Sequence, residues 1–161
     1  MSRETLVSGG KALLFILICQ AAGLIGTLFT GDSERYYESL DRPPLAPPPS
    51  VFAPVWINLY VLIGIAAFII WRRGAQTPGR NRALAAFGIQ LGLNALWTPI
   101  FFGLENPGGA AIVITALWLA IVATTALFLP LSRVAALLMI PYLLWVTYAA
   151  YLNIGIWWLN R

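Results

Sequence analysis

The first candidates for chemistry in this chain are polar side chains inside an apolar segment. Residues 91–103 read LGLNALWTPIFFG and carry Asn94, Trp97 and Thr98 among apolar neighbours. A bilayer offers no water to an amide, so a polar side chain there is costly unless a partner binds it. The segment is therefore expected to face either a partner helix or a ligand pocket.

A helical projection separates two faces of this segment. At about 100° per residue, Gln90, Asn94 and Trp97 fall on one side, and Gly88 and Gly92 fall on the other. The glycine stripe predicts close helix packing, within the chain or across a dimer. The polar face predicts interhelical hydrogen bonds or a ligand contact, and the segment alone leaves both open.

Two other apolar segments carry aromatic and polar residues at a comparable depth. Residues 51–71 include Trp56, Asn58 and Tyr60 near their start. Residues 134–157 place Tyr142, Trp145 and Ala149 roughly along one face. Indole and amide groups can orient a flat, mostly apolar ligand whose faces stack on aromatic rings. The recurrence on three segments favours a pocket over packing alone.

Composition places the chain among integral membrane proteins. Of its 161 residues 60% are hydrophobic and 10% are charged, whereas a soluble domain has about 25% charged residues. Uncharged stretches of roughly 20 residues predict five transmembrane helices in one membrane domain, residues 1–161. Their approximate ranges are 12–30, 51–71, 83–103, 108–129 and 134–157. The predicted fold is an all-α bundle of five membrane-spanning helices with one long external loop.

The basic residues predict how the bundle lies in the membrane. One side would hold Arg3, Lys11, Arg72, Arg73, Arg80, Arg82 and Arg133, and the other Arg35, Arg42 and Arg161. The positive-inside rule then puts the N-terminus in the cytoplasm and the C-terminus outside, in a bacterial inner membrane. Topology explains the net charge of +4, and no basic run is long enough to bind nucleic acid.

The long external loop, residues 31–50, is a candidate lid. Asp32 or Ser33 can cap a short helix over residues 34–40, which would present Tyr36, Tyr37 and Leu40 on one face. Five prolines in the run DRPPLAPPPS forbid helix and favour a stiff strap. A solvated connector is the alternative, but the density of aromatic residues and prolines favours a cover over the bundle.

The residue types missing from the spans exclude several functions. The spans contain no carboxylate or lysine, which argues against proton-coupled or ion-coupled transport. The chain has no histidine, so neither a histidine metal site nor a histidine general base exists. We predict no catalytic residues, no metal site and no required cofactor. Cys19, Met139 and the tyrosines are weak candidates for haem ligands, and packing is the favoured role for each.

Ordered sequence blocks run through almost the whole chain. They are Tyr36-Tyr37-x-x-Leu40, Arg42-Pro43 with Pro47-Pro48, Pro54-Val55-Trp56, Asn94-x-x-Trp97-x-Pro99-x-Phe101-Phe102-Gly103 and Pro141-Tyr142-Leu143-x-Trp145. In these blocks the chain resembles the TspO/MBR family, also called translocator protein, tryptophan-rich sensory protein or peripheral-type benzodiazepine receptor. The resemblance implies a five-helix bundle, usually a homodimer, with a pocket beneath the first loop.

The resemblance also implies ligands and residues that contact them. Porphyrins, haem, sterols and benzodiazepine-type or isoquinoline carboxamide drugs are the expected ligands. By motif position, Trp56 and Asn94 would hydrogen-bond a drug carbonyl, and Tyr37, Trp145 and Ala149 would line the pocket. Trp97, Tyr142 and Tyr148 complete the predicted ligand-binding set.

The loop departs from the family pattern. Tyr36 and Leu45 stand where the family usually has tryptophan, and Arg42 stands where it usually has lysine. The loss of two tryptophans weakens the case for light-dependent porphyrin breakdown more than the case for binding. No basic residue follows Tyr151 before Arg161, so the mammalian sterol motif is missing and strong sterol selectivity is not expected.

The sequence thus predicts a non-enzymatic membrane protein that binds tetrapyrroles and other flat hydrophobic ligands in an intramembrane pocket. It would act as a sensor, a sequestering protein or a translocator. One alternative is a light-dependent or oxygen-dependent porphyrin-degrading enzyme that uses Trp56 and Trp145 as redox-active aromatics. The other is a structural scaffold whose polar residues only pack helices.

Overall fold

The structure, a computed structural model, describes the backbone of residues 3–161 and the side chains from residue 9 onward. The described residues exclude Met1 and Ser2, which belong to the predicted domain range. They also exclude the side chain of Arg3, on which the predicted orientation partly rests. The helices in chain order are α1 (Arg3–Thr27), α2 (Ser33–Ser39), α3 (Phe52–Trp71), α4 (Arg80–Thr98), α5 (Pro107–Phe128) and α6 (Arg133–Leu159). A 3₁₀ turn, Pro49–Val51, precedes α3, and a π-helical turn, Pro99–Gly103, follows α4.

Five of these helices are long and apolar enough to cross a membrane, which confirms the predicted fold class. The predicted helix ends differ from the observed ones mainly where charged residues flank a span. Helix α1 begins at Arg3 rather than near residue 12, and α4 begins at Arg80 rather than at residue 83. The expected ranges followed uncharged stretches, but a helix can continue past the hydrocarbon because its backbone is hydrogen-bonded internally.

The five long helices form a closed ring. Helix α1 packs against α3, α3 against α6, α6 against α5, α5 against α4, and α4 against α1. The short connections after α4 and α5 make consecutive helices antiparallel neighbours, as predicted. Large apolar side chains fill the centre of the ring, among them Ile63, Ile70, Leu117 and Met139, all at most 1% exposed.

Side-chain caps begin three of the helices. The Asp32 carboxylate accepts a hydrogen bond from the Arg35 backbone N–H at 3.1 Å, which confirms Asp32 as the cap of the loop helix. Asn106 and Ser132 accept equivalent bonds at the starts of α5 and α6. Each cap satisfies a backbone donor that the first turn of a helix leaves free.

The C-terminal end of α4 changes its winding at a proline. Pro99 has no N–H to donate to the preceding turn, and the turn that follows is π-helical, with the Leu104 N–H donating to the Pro99 carbonyl at 2.8 Å. A side chain at Gly103 would collide with the Phe29 carbonyl, so glycine permits this close approach to the end of α1. Thr98, just before the turn, packs against α1 at Gly26.

Candidate ligand-binding site

A cavity of about 540 Å³ lies at the end of the ring that carries α2, beneath α2 and between α1, α3 and α4. Six aromatic side chains line it: Tyr37, Phe52, Trp56, Tyr60, Trp97 and Phe102. Three of them, Tyr37, Trp56 and Trp97, are predicted site residues. The cavity therefore offers a flat molecule aromatic surface from the lid and from two spans.

The aromatic rings pack on one another in fixed geometries. Trp56 stacks on Tyr60 with ring centroids 5.5 Å apart. Tyr37 meets Phe52 edge to face at 5.4 Å. The Trp97 indole N–H donates to the Asn153 side-chain carbonyl at 2.8 Å, which ties the α4 wall to α6. These contacts hold the walls in place, because each ring has a neighbour that limits its rotation.

Helix α1 supplies a wall that the sequence analysis missed. Gln20, Gly23, Leu24 and Thr27 all line the cavity. A side chain at Gly23 would collide with the Tyr60 ring, so glycine lets that ring lie directly against α1. The Gln20 amide donates to the Ile57 carbonyl at 3.0 Å and joins α1 to α3 at this level. The sequence signal for this wall was the spacing of Gln20, Gly23 and Thr27, small or polar residues at i, i+3 and i+7 in an apolar span.

Asn94 lies in a hydrogen-bonded chain behind the cavity wall. The Tyr60 hydroxyl donates to Asn94 Oδ1 at 2.5 Å, and Asn94 Nδ2 donates to the Tyr142 hydroxyl at 3.1 Å. The Tyr142 hydroxyl in turn donates to Gln90 Oε1 at 2.9 Å. The polar face of α4 thus joins α3 and α6. Asn94 reaches the cavity through Tyr60, which lines it, and not through its own side chain.

The predicted residues of α6 lie outside the cavity wall. Tyr142 is fully buried in the chain just described, and Ala149 is buried in the central core. Trp145 does not line the cavity; it packs edge to face at 6.1 Å on Phe52, which does, and its ring centroid lies 5.5 Å from that of Tyr148. The Trp145 indole N–H is buried and has no hydrogen-bond partner among the described residues.

The lid consists of α2 and the proline-rich strap, residues 41–48. Tyr36 packs edge to face on Phe101, at 6.2 Å, and on Phe102, at 6.4 Å. The Tyr37 hydroxyl donates to the Pro47 carbonyl at 3.3 Å. Burial raises the pKa of the Tyr37 hydroxyl, and the neighbouring Arg42 opposes this effect.

The strap contacts both α2 and α6. The Arg42 guanidinium lies 5.2 Å from the centroid of the Tyr37 ring. Pro43 packs against Gly155, where an added Cβ would lie 2.8 Å from the proline ring. Pro48 ends the strap and precedes the 3₁₀ turn that leads into α3. These contacts hold Arg42 against α2 and Pro43 against α6.

The glycine stripe of α4 faces away from the cavity. Gly88 and Gly92 are exposed, and an added Cβ at either position would meet nothing within 4 Å. Gln90 and Asn94, on the opposite face, are 0% and 4% exposed. The two faces predicted by the helical projection are therefore present, and the described chain itself leaves the glycine face uncovered.

Comparison with known proteins agrees with this architecture. Residues 15–159 match the TspO/MBR family. The tryptophan-rich protein TspO of Archaeoglobus fulgidus is 40% identical, over 93% of this chain and 97% of its own length. Protein CrtK of Rhodobacter capsulatus is 35% identical over 91% of both chains, and the translocator protein of Ovis aries is 34% identical over 93% of this chain and 90% of its own. The chain is an integral membrane protein that belongs to the TspO/MBR family.

Proposed function

We propose that this protein binds tetrapyrroles and other flat hydrophobic ligands in the cavity beneath the lid. The observation that carries the proposal is the cavity itself, about 540 Å³ in volume and lined by six aromatic rings. Sites for small molecules and cofactors typically enclose roughly 300–1,000 Å³ and combine apolar walls with a few polar groups. Porphyrin and haem are the proposed ligands of this site. Sterols and benzodiazepine-type drugs are further candidates.

Trp56 is the residue on which direct recognition would depend most. It lies on the wall and stacks on Tyr60, so its ring can meet the face of a ligand. Its indole N–H can donate to a ligand carbonyl. Asn94 would contribute indirectly. Its Oδ1 accepts a hydrogen bond from the Tyr60 hydroxyl at 2.5 Å, which would fix the ring on which Trp56 stacks.

Binding in such a cavity would serve a sensor, a sequestering protein or a translocator equally well. The names of relatives, tryptophan-rich sensory protein in Cereibacter sphaeroides and translocator protein in Homo sapiens, support the first and the last of these roles. They also support a role without catalysis. The proposed binding function requires no cofactor, and porphyrin or haem would be the ligand.

The orientation and assembly are part of the same proposal. Lys11 and Arg80 both lie over the Trp71 ring, at 5.1 Å and 6.0 Å, so these basic residues share one end of the bundle. The positive-inside rule would place that end in the cytoplasm and the cavity toward the outside. The uncovered face at Gly88 and Gly92 supports a homodimer through α4.

Quenching of tryptophan fluorescence by protoporphyrin tests the proposal. We expect saturable quenching for the purified protein in detergent. A Trp56→Phe, Asn94→Ala double variant should bind at least about tenfold more weakly, which corresponds to about 1.4 kcal/mol. The matched control is Trp158→Phe, Asn58→Ala, which removes the same residue types from exposed positions.

The outcomes separate the candidate functions. Equal affinity of both double variants and the wild-type protein would overturn the assignment of the site. No saturable binding of protoporphyrin, a sterol or a benzodiazepine would favour the structural scaffold instead. Thermal unfolding of each variant without ligand would show whether weaker binding reflects loss of the fold.

A further inference from the structure

A further cavity lies at the end of the bundle opposite α2. It has a volume of about 580 Å³ and lies between the end of α3 and the connection from α5 to α6. Its lining consists of Arg73, Leu129, Pro130, Leu131, Ser132 and Arg133. Two arginines from distant parts of the chain therefore line one cavity, which we call the arginine cavity.

The two arginines have no carboxylate near them to balance their charge. Among residues 9–161, all aspartates and glutamates lie at the end of the bundle that carries α2, namely Asp32, Glu34, Glu38, Asp41 and Glu105. Arg73 and Arg133 are both exposed. The arginine cavity is therefore a concentration of positive charge, and the ligand that it favours is an anion.

Other cations at this end of the bundle already lie against aromatic rings. Lys11 and Arg80 lie over Trp71, at 5.1 Å and 6.0 Å from its centroid, and Arg72 lies over Phe68 at 5.5 Å. The ring attracts such a cation. Arg73 and Arg133 lie over no aromatic ring of residues 9–161. Their guanidinium donors are thus available to a ligand in the cavity.

The start of α6 adds backbone donors to the two guanidinium groups. The Ser132 hydroxyl caps this helix, where it accepts a hydrogen bond from the Ala135 N–H at 3.3 Å. The N–H groups of Arg133 and Val134, which precede Ala135 in the first turn, have no acceptor within the helix. The cavity therefore offers donors of two kinds to the oxygens of one anion.

The surroundings of the cavity favour a phosphate that carries acyl chains. Leu129, Val134 and Leu137 are 56%, 59% and 68% exposed at the end of α5 and the start of α6. Such apolar surface on a membrane-spanning bundle faces lipid. Guanidinium groups bind phosphate oxygens in pairs, and basic pockets between transmembrane helices bind anionic lipid head groups. A phospholipid satisfies both the charged and the apolar part of this surface.

We propose that the arginine cavity binds the phosphate of an anionic phospholipid, and that Arg73 and Arg133 are its cationic ligands. The acyl chains would lie along the exposed apolar side chains of α5 and α6. A zwitterionic lipid would bind less tightly, because its ammonium group would meet two arginines that no carboxylate compensates. The site lies at the opposite end of the bundle from the cavity beneath α2, and the proposal does not depend on what binds there.

Short-chain phospholipids test the site on the full-length protein in a neutral detergent. The probes are dioctanoyl phosphatidylglycerol, dioctanoyl phosphatidylcholine and inorganic phosphate, with bound molecules counted by native mass spectrometry. We expect saturable binding of phosphatidylglycerol, weaker binding of phosphatidylcholine and no saturable binding of inorganic phosphate at the same concentrations. Arg73→Gln and Arg133→Gln should each weaken phosphatidylglycerol binding about fivefold, and together about thirtyfold.

The double variant Arg72→Gln, Arg82→Gln is the matched control. It removes two arginines from the same end of the bundle, and neither of them lines the arginine cavity. It should change phosphatidylglycerol affinity less than about twofold, since charges outside the site act only through a screened field. Thermal unfolding of each variant without lipid measures the fold. The variant Arg73→Lys, Arg133→Lys keeps both charges and should bind more tightly than the glutamine pair.

Three results would overturn the proposal. Equal losses in the two glutamine double variants would show diffuse attraction to anionic lipid and no site. Equal affinity for phosphatidylglycerol and phosphatidylcholine would show that the two charges do not select the lipid. Inorganic phosphate that binds as tightly as phosphatidylglycerol, and is lost with Arg73 and Arg133, would identify a site for free phosphate and not for lipid.

Discussion

The hydroxyl of Tyr148 donates a hydrogen bond to the Leu45 carbonyl at 2.7 Å, between residues 103 positions apart. Leu45 has a φ of 68°, a left-handed conformation that is costly for a side chain of this kind. The next turn of α6 makes a similar bond, from the Tyr151 hydroxyl to the Pro44 carbonyl at 2.9 Å. The strap is thus held in a strained shape by phenols of the last span.

Removal of these two hydroxyls should loosen the lid. We expect the double variant Tyr148→Phe, Tyr151→Phe to speed amide hydrogen exchange in the peptide spanning residues 40–52. Each bond is exposed to solvent and contributes about 0.5–1 kcal/mol, so opening should become roughly fivefold or more easier. Ligand dissociation should accelerate by a similar factor.

Tyr36→Phe is the control for that experiment. The Tyr36 ring packs on Phe101 and Phe102, and its hydroxyl makes no hydrogen bond among the described residues. The amide exchange rates of the Tyr36→Phe variant should match those of the wild-type protein. Unchanged exchange in the double variant would show that the prolines alone keep the strap closed.

The loop helix and the two faces of α4 were predictable because each depends on local rules. The loop helix was expected over residues 34–40 and is Ser33–Ser39, since the Asp32 cap fixes its start. Gly88 and Gly92 lie on a different face of α4 from Gln90 and Asn94. A helical projection predicts this from the residue spacing alone. Such features need no knowledge of which helices are neighbours.

The composition of the cavity wall was only partly predictable because it depends on helix order and depth. A projection gives the direction of Asn94 but not its partners, and Tyr60 and Tyr142 occupy its amide. Trp145 contacts Phe52, which lines the cavity, but does not line the cavity itself. The contribution of α1 to the wall could not be predicted, because it depends on the position of α1 between α3 and α4 in the ring.

A methyl group at Gly23 should reduce the cavity. Gly23→Ala would push the Tyr60 ring away from α1, because an added Cβ has no space there. Overpacking of a filled site typically costs about 1–3 kcal/mol. We expect a lower melting temperature and weaker protoporphyrin binding. Gly10→Ala, on the same helix with open space around it, should change neither; equal effects of both changes would contradict the observed packing.

Asn94 should stabilise the bundle even without ligand. Asn94→Ala removes one acceptor and one donor from the chain that links Tyr60 to Tyr142. Interhelical hydrogen bonds in membranes average about 0.6 kcal/mol each, so unfolding of the ligand-free protein should become easier by about 1 kcal/mol. Asn58→Ala, which removes an exposed amide bonded within its own helix, should have less effect. If Asn94→Ala weakens binding but leaves ligand-free stability unchanged, direct ligand contact is its role.

The exposed face of α4 should self-associate. In a Cys19→Ala background, Gly88→Cys or Gly92→Cys should form disulfide-linked dimers under mild oxidation in membranes, since both positions lack neighbours in the described chain. Ile112→Cys on α5, at 74% exposure, is the control for random collision and should not cross-link. Equal cross-linking at all three positions would argue against a specific α4 interface.

Protoporphyrin bound to this protein should bleach in light no faster than in empty detergent micelles. Photochemical breakdown would need redox-active aromatics in contact with the ring, and the strap has Leu45 where the family usually has tryptophan. Trp56 lies on the cavity wall, but Trp145 does not; it contacts the lining residue Phe52, with 6.1 Å between the two ring centroids. Absorbance at the Soret band, followed in light and in dark, measures the rate. Faster bleaching that Trp56→Phe abolishes would instead identify a porphyrin-degrading enzyme, whereas acceleration that persists in Trp56→Phe would place the reaction outside this wall.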